Sequence, residues 1–468
     1  MRNNKMTNAT KLHHSIYIST LLGLPLNAMA GGLGITVQSS SVGGNAATGH
    51  ALAEDASAMW YNPALLSSMN GIQINGGIAI VNTELNLTDT GSTTPAAFGN
   101  GQVDGGANGM VDPGGTSVTP SLFYKRDLSA RNMAFGLGIN VPFGVATEYD
   151  DDSFTRYEAV ESHLQTVNIN PALSWRVNDK FDVGAGVSIQ VGKATLTKAV
   201  DSAAACLTLQ ARVNPAIDCT GNGLGVANLS DQSLDSSVSI EADGVGYGAN
   251  IGGVYHPNNS TTLSLGLRSA VNYDLEGEAD FDLNSTLVST AGAAVGLAGL
   301  TDQDAESALK LPASASLAFA KNVSEKLAVH GDMTWTQWSS VPEIRIKFPD
   351  TARTDSVTNV QWNDTTRVGL GMTYKMNPKT TLRTGVAFDP TPTPDAEHRT
   401  PRAPSSDNLW LSGGISHQMN KQVGVDVSLS VVRPEDATVN YTGDTGYTTR
   451  GEMDSAVYVG AVSLNYHF

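Results

Sequence analysis

The chain has 468 residues, with 28 Lys and Arg against 45 Asp and Glu, a formal net charge of −17. So acidic a balance speaks against a nucleic-acid partner. With 48 glycines, 6% aromatic residues and few long helical patterns, the composition points to an all-β chain.

The first thirty residues, 1–30, read as a secretory signal peptide. "MRNNKMTNATKLHH" carries Arg2, Lys5 and Lys11 and no acid, and "SIYISTLLGLPLNAMA" follows, with Ala28 and Ala30 forming a small-x-small cleavage site. The alternative is a short membrane anchor, but the apolar run is too short to span a bilayer comfortably. Cleavage after Ala30 removes three basic residues and leaves 25 − 45 = −20 on Gly31–Phe468. No other run of about 20 apolar residues follows, so no transmembrane helix is available.

Gly31–Asn70 is small, polar and too long for a simple tail. Within it "LAEDASAMWYNPALL" predicts one short helix, turned at Asn62-Pro63. The segment is either a disordered leader or a plug inside whatever the rest of the chain builds.

Gly71–Phe468 is dominated by alternation. In "FDVGAGVSIQV", Phe181, Val183, Ala185, Val187, Ile189 and Val191 take one face, and Asp182, Gly184, Gly186, Ser188 and Gln190 the other. "QVGVDVSLSVV" and "AVYVGAVSLNYHF" do the same. About fourteen such segments occur. They start near Gly71, Ser117, Asn132, Ser162, Phe181, Ser236, Thr262, Leu311, Leu327, Gln361, Thr380, Leu409, Gln422 and Met453. A soluble sandwich alternates too, but here the polar face is small and glycine-rich, as in a lumen with limited room. The connections also alternate between short turns and long loops, the signature of an outer-membrane barrel with its short turns in the periplasm. The expected fold is an all-β, closed, antiparallel transmembrane β-barrel of about fourteen strands with an N-terminal plug in its lumen.

One strand resists this reading. "AFGLGINVPFGVATEY" alternates cleanly but contains Pro142, with Gly144 two residues on. Proline gives no N–H to a ladder, and a closed barrel has no edge on which to hide it. A β-bulge that changes only curvature is the plain explanation. Pro171 removes a second donor in the neighbouring strand. Cys206 and Cys219, 13 apart in a polar loop, suit a single disulfide in an exported protein; a zinc site would need two further ligands that are not evident nearby.

Several stretches resemble the FadL-type family of outer-membrane transporters for long-chain fatty acids and other hydrophobic compounds. "GHALAEDASAMWYNPALL" is similar to the family's hatch, with its motif at Asn62, Pro63 and Ala64. "GLGINVPFGVATEY" with "LQTVNINPALSWRVNDKFDVGAGV", "TWTQWS", "DTTRVGLGMTY" and "LRTGVAFDPTPTP" with "RAPSSDNLWLSGG" resemble its third to fifth, ninth, tenth, eleventh and twelfth strands in order and spacing. The resemblance covers nearly the whole mature chain. It implies a fourteen-strand barrel closed by a hatch and an inward kink in the third strand, here Asn140, Pro142, Phe143 and Gly144. In that family the kink opens a lateral gap for hydrophobic substrate, so the resemblance implies a portal into the membrane here rather than a plain bulge. It also implies passive transport by a monomer embedded in outer-membrane lipid and lipopolysaccharide, with no cofactor and no metal.

A carboxylate head needs a cation. By parity Lys198 faces the interior near the outer end, at a position resembling one where the family carries a basic residue. Arg268, Arg367 and Arg383 also take interior parity, where they either meet ligand or pair with Asp332 and Asp426 to brace the lumen. The family's second head-group cation has no clear counterpart; "PDTARTDSVTNV" offers only Arg353. A neutral aromatic or alkane hydrocarbon therefore stands as an alternative substrate, and a general aqueous porin as an alternative function. "STLVSTAGAAVGLAGL", Ser285–Leu300, is apolar in a predicted external loop, which suits a ligand groove or a helix packed on its neighbour. No enzyme is expected: His256 lies in a turn, and His330 beside Asp332 has no serine motif to accompany it.

Overall fold

The computed structural model describes residues 32–103, 105, 109–128, 132–349, 351 and 353–468; the predicted signal peptide lies outside them. Fourteen antiparallel strands close into a barrel. They are β1 (Ile72–Asp89), β2 (Gly115–Leu128), β3 (Met133–Asn140 and Gly144–Glu148), β4 (Glu161–Asn178) and β5 (Phe181–Val200). Next come β6 (Ser236–Asn258), β7 (Thr261–Arg268 and Val271–Asp282), β8 (Gln303–Leu311 and Ser314–Asn322), β9 (Leu327–Thr336) and β10 (Thr365–Asn377). The last are β11 (Thr380–Asp389), β12 (Asn408–Gln418), β13 (Val423–Pro434 and Ala437–Thr442) and β14 (Thr448–His467). Closure is made by β1 on β14, in unbroken register from Gln73↔His467 to Asp89↔Gly451.

The alternation sorts as the pattern predicts. On β5, Val183, Val187 and Ile189 are exposed on the outside, while Asp182, Ser188 and Gln190 are buried inside. Leu265, Leu317, Leu370, Leu411, Leu429 and Leu464 continue the exposed apolar belt around the barrel. So much exposed apolar surface is tolerable only against lipid.

Two boundaries differ from the alternation. β8 begins at Gln303, not Leu311, and breaks at Pro312–Ala313. In "QDAESALKL" the inward residues Ala305, Leu309 and Leu311 are buried, but Asp304, Glu306 and Lys310 face outward above the apolar belt. A strand wetted on its outer face carries no apolar alternation there. Likewise Arg433–Glu452 is not one long loop. Ala437–Thr442 returns to pair with β14, leaving only the turn at 443–447.

Segment 32–70 lies against the inner faces of the strands. It holds the short helices α1 (Ser40–Gly43) and α2 (Ala58–Tyr61) and the 3-10 turn Pro63–Ser68. Asn62 caps that turn: its side chain accepts from the Ala64 amide at 2.9 Å, and its amide donates to Ser264 Oγ at 2.8 Å and Leu265 O at 3.1 Å. Pro63 occupies the first position of the turn, where no N–H is needed. Glycines on the wall make this approach possible. A Cβ at Gly184 would strike the Pro63–Ala64 backbone, one at Gly252 the Asn62 side chain, and one at Gly385 the Asn45 carbonyl.

Interior cations hold the segment from the wall. Arg268 donates to Trp60 O at 2.6 Å and stacks over the Trp60 ring at 3.7 Å. Arg367 bonds Ala46 O and lies 3.5 Å from Asp332. Arg383 pairs with Glu54 at 2.5 Å. The Lys125 ammonium donates to Met69 O at 2.7 Å.

Candidate functional site: a pocket, a groove and a break in the wall

β3 is laddered to β4 as far as Asn140↔Asn168 and again from Gly144↔Gln165. Val141, Pro142 and Phe143 therefore oppose only Val167 and Thr166, which is a β-bulge. The bulge does more than bend the strand. Pairing between β2 and β3 ends at Leu122↔Ile139, and among the described residues Gly115–Ser121 of β2 pairs only with β1. From there up to Glu148, whose amide reaches Pro113 O at 3.3 Å, the described residues form no β2–β3 ladder pair.

The kinked strand finds partners inside instead. Ile35 donates its amide to Pro142 O at 2.9 Å, and Gly144 donates to Leu33 O at 2.9 Å. Gln38 Nε2 donates to Val141 O at 2.9 Å, and Asn140 Nδ2 to Gln38 Oε1 at 2.8 Å. Phe143 meets the Trp338 ring edge-on, centroids 6.4 Å apart. Trp338 follows β9, across the barrel from β3, so both rings project into the lumen. Pro171 breaks the β4–β5 ladder too, where Asn170 Nδ2 serves the Val187 carbonyl at 2.6 Å.

Above this floor of Leu33, Val145 and Trp338 lies an apolar pocket walled by Leu164, Leu196, Ile240, Leu275, Leu309 and Phe348. Its polar end gathers Glu158, Lys198, Arg353, Arg402 and Asp444. Lys198 projects inward from β5, as its parity predicts, and sits 3.4 Å from Asp444. Arg402, on the β11–β12 loop, donates to Glu161 O at 3.2 Å and Ser162 Oγ at 3.0 Å. Burial lowers its affinity for a proton, and the Glu158 carboxylate partly restores it. Burial pushes the Glu158 carboxyl up to about 7 against the pull of Lys198; Asp444 pushes the same way and Arg402 opposes. Arg353 lies over the rings of Phe281 and Phe348, 5.0 Å from each centroid. Three cations, Lys198, Arg353 and Arg402, stand here among the carboxylates of Glu158 and Asp444.

A groove opens beside the pocket. It runs between α3 (Ser202–Arg212) and the connection carrying α4 (Ser285–Ala291) and α5 (Ala294–Leu297). Asp201 caps α3 by accepting from the Ala203 and Ala204 amides. The Cys206–Cys219 disulfide fastens α3 to the following loop. Leu287, Ala291, Val295 and Leu300 pack on Cys206 and Leu209. The apolar loop thus packs on its neighbour and lines a groove, turning Leu297 outward at 69% exposure. Lys198, Arg353, Ser356 and Asp444 line both groove and pocket.

The structure thus separates the sequence candidates. Lys198 lines the apolar pocket, whereas Arg383 and Arg367 lie lower and are engaged by segment 32–70, Glu54 and Asp332. Parity fixed their side of the wall but not their height. Glu158, Arg402 and Asp444 escaped the sequence analysis. They lie on loops without periodicity and meet only through contacts between distant parts of the chain.

Residues 24–468 match the family model described as outer membrane protein transport protein (OMPP1/FadL/TodX). A protein of Escherichia coli O6:H1 strain CFT073 named "Long-chain fatty acid transport protein" is 26% identical over 446 residues, covering 94% of this chain and 95% of that one. "Outer membrane protein P1" of Haemophilus influenzae strain Rd is 26% identical over 432 residues, 90% of each. Among solved structures, a Pseudomonas aeruginosa FadL homologue superposes with a TM-score of 0.82 at 24% identity, over 93% of this chain and all of the other. The Ralstonia pickettii toluene transporter TbuX gives 0.63 at 19%, over 92% and 98%. At such identities these two structures speak for the fold alone.

Proposed function

Because the chain belongs to the OMPP1/FadL/TodX family of outer-membrane transport proteins, we propose that it carries long-chain fatty acids inward by passive diffusion. The observation that carries this reading is the apolar pocket ended by Lys198, Arg353 and Arg402. Each buried methylene is worth ~0.8 kcal/mol, so an acyl chain gains by entering such a pocket and loses by entering water. The groove captures, the pocket binds, and the open wall between β2 and β3 releases the molecule sideways into lipid. Segment 32–70 serves as the hatch that keeps the lumen closed to water-soluble solutes. In this reading the protein works as a monomer among outer-membrane lipid and lipopolysaccharide.

The direct test is uptake by an outer-membrane mutant lacking its own transporter, with radiolabelled oleate and toluene in parallel. Restored oleate uptake that falls in Lys198→Gln at matched surface level supports the reading. Restored toluene uptake without oleate uptake would replace it by a neutral-hydrocarbon channel, which the pairing of Lys198 by Asp444 favours as the second reading. A general aqueous porin sits poorly with a lumen occupied by segment 32–70.

A further inference from the structure

Groove and pocket meet at one carboxylate. Asp444 sits on the turn between Ala437–Thr442 and β14 and reaches two other elements. Its Oδ1 lies 3.4 Å from the Lys198 ammonium; its Oδ2 accepts from the Ser356 hydroxyl at 2.7 Å and the Val357 amide at 3.1 Å. Burial alone would raise the Asp444 pKa, but Lys198 and the two hydrogen bonds outweigh it and hold the group below its ordinary value. An ammonium, a hydroxyl and a backbone N–H converging on one carboxylate form a built carboxylate site. Its occupant is the protein's own side chain. Arg353, just before Ser356, takes part in no ion pair among the described residues and stands at the same junction.

We propose that Asp444 is a stand-in for the ligand's head group. An anionic head arriving along the groove displaces it from Lys198, frees the Ser356–Val357 segment, and so opens the way into the pocket. Asp444 is then a specificity-determining residue: a neutral hydrocarbon has no charge with which to exchange it and meets a latched passage. The inference rests on the pocket being a site for anionic amphiphiles.

The test is binding of oleate and of oleyl alcohol, at a pH where oleate is ionised, to the full-length protein in lipid nanodiscs. Asp444→Asn keeps the size and one acceptor oxygen for Ser356 and Val357 but removes the competing charge. It is expected to tighten oleate by about tenfold or more and leave oleyl alcohol unchanged. Lys198→Gln weakens oleate and abolishes the Asp444→Asn gain in the double variant. Ser356→Ala, which removes one contact only, gives a smaller gain of the same sign. Equal shifts for both ligands, or weaker oleate binding in Asp444→Asn, overturn the inference and leave Asp444 a structural tie. Wild-type binding that ignores the head group, with Lys198→Gln changing neither ligand, overturns the head-group reading itself.

Discussion

Ile35 donates its amide hydrogen to the carbonyl of Pro142 at 2.9 Å. A strand that has left its neighbour β2 is thus re-paired from inside by the segment occupying the lumen. Gly34 and Phe143 face each other between that bond and the Gly144–Leu33 bond. The backbone groups of the kink are satisfied by this segment instead of by β2, which resolves how a barrel with no edges tolerates Pro142.

The glycines of the inner wall mark where the backbone of segment 32–70 lies. Gly184→Val and Gly252→Val force a side chain into Ala64 and Asn62, and overpacking of this kind costs about 1–3 kcal/mol. Both variants are expected to lower the thermal unfolding temperature and admit large water-soluble antibiotics. Gly253→Val, where an added Cβ meets nothing within 4 Å, changes neither.

Sequence and structure agree where one physical rule acts strand by strand. Alternation and turn length each follow from a bilayer outside and limited room inside. They disagree where that rule stops. The acidic outer face of Gln303–Leu311 lies beyond the apolar belt and reads as a loop. Arg367 and Arg383 have the expected parity, and they pair with Asp332 and Asp426 inside the lumen, but parity alone did not give their height. The polar end of the pocket is assembled from Glu158, Lys198, Arg353, Arg402 and Asp444 on five separate stretches, and no local pattern links them.

Removing the disulfide loosens capture but not the barrel. Cys206 and Cys219 are 13 apart in sequence, a closure worth about 3 kcal/mol to the loop. Cys206→Ser with Cys219→Ser is expected to expose α3 to protease and slow oleate capture several-fold. The heat-modifiable migration of the folded barrel stays unchanged.

Glu158 makes binding and stability depend on pH. Its folded pKa of about 7 lies above the ordinary 4.5. The folded state therefore holds more protons than the unfolded one between these values, and stability falls as pH rises through that window. Glu158→Gln removes this slope and is more stable than wild type at pH 8, by up to ~3 kcal/mol. Oleyl sulfate, ionised throughout, is expected to bind wild type more weakly at pH 8 than at pH 6, because ionised Glu158 then opposes the head group. In Glu158→Gln the two affinities are equal.

In this reading substrate leaves beside the kink, past Leu33 and Phe143. Gly34 and Phe143 form a non-hydrogen-bonded antiparallel pair, with Cα atoms roughly 4.5 Å apart, within reach of a disulfide. The measurement is radiolabelled oleate uptake by cells expressing Gly34→Cys with Phe143→Cys at matched surface level, oxidised and then reduced. Wild type under both conditions controls for the native disulfide. The oxidised variant is expected to be blocked and reduction to restore uptake. Uptake by the oxidised variant at the reduced rate would contradict this reading and place the path elsewhere in the barrel.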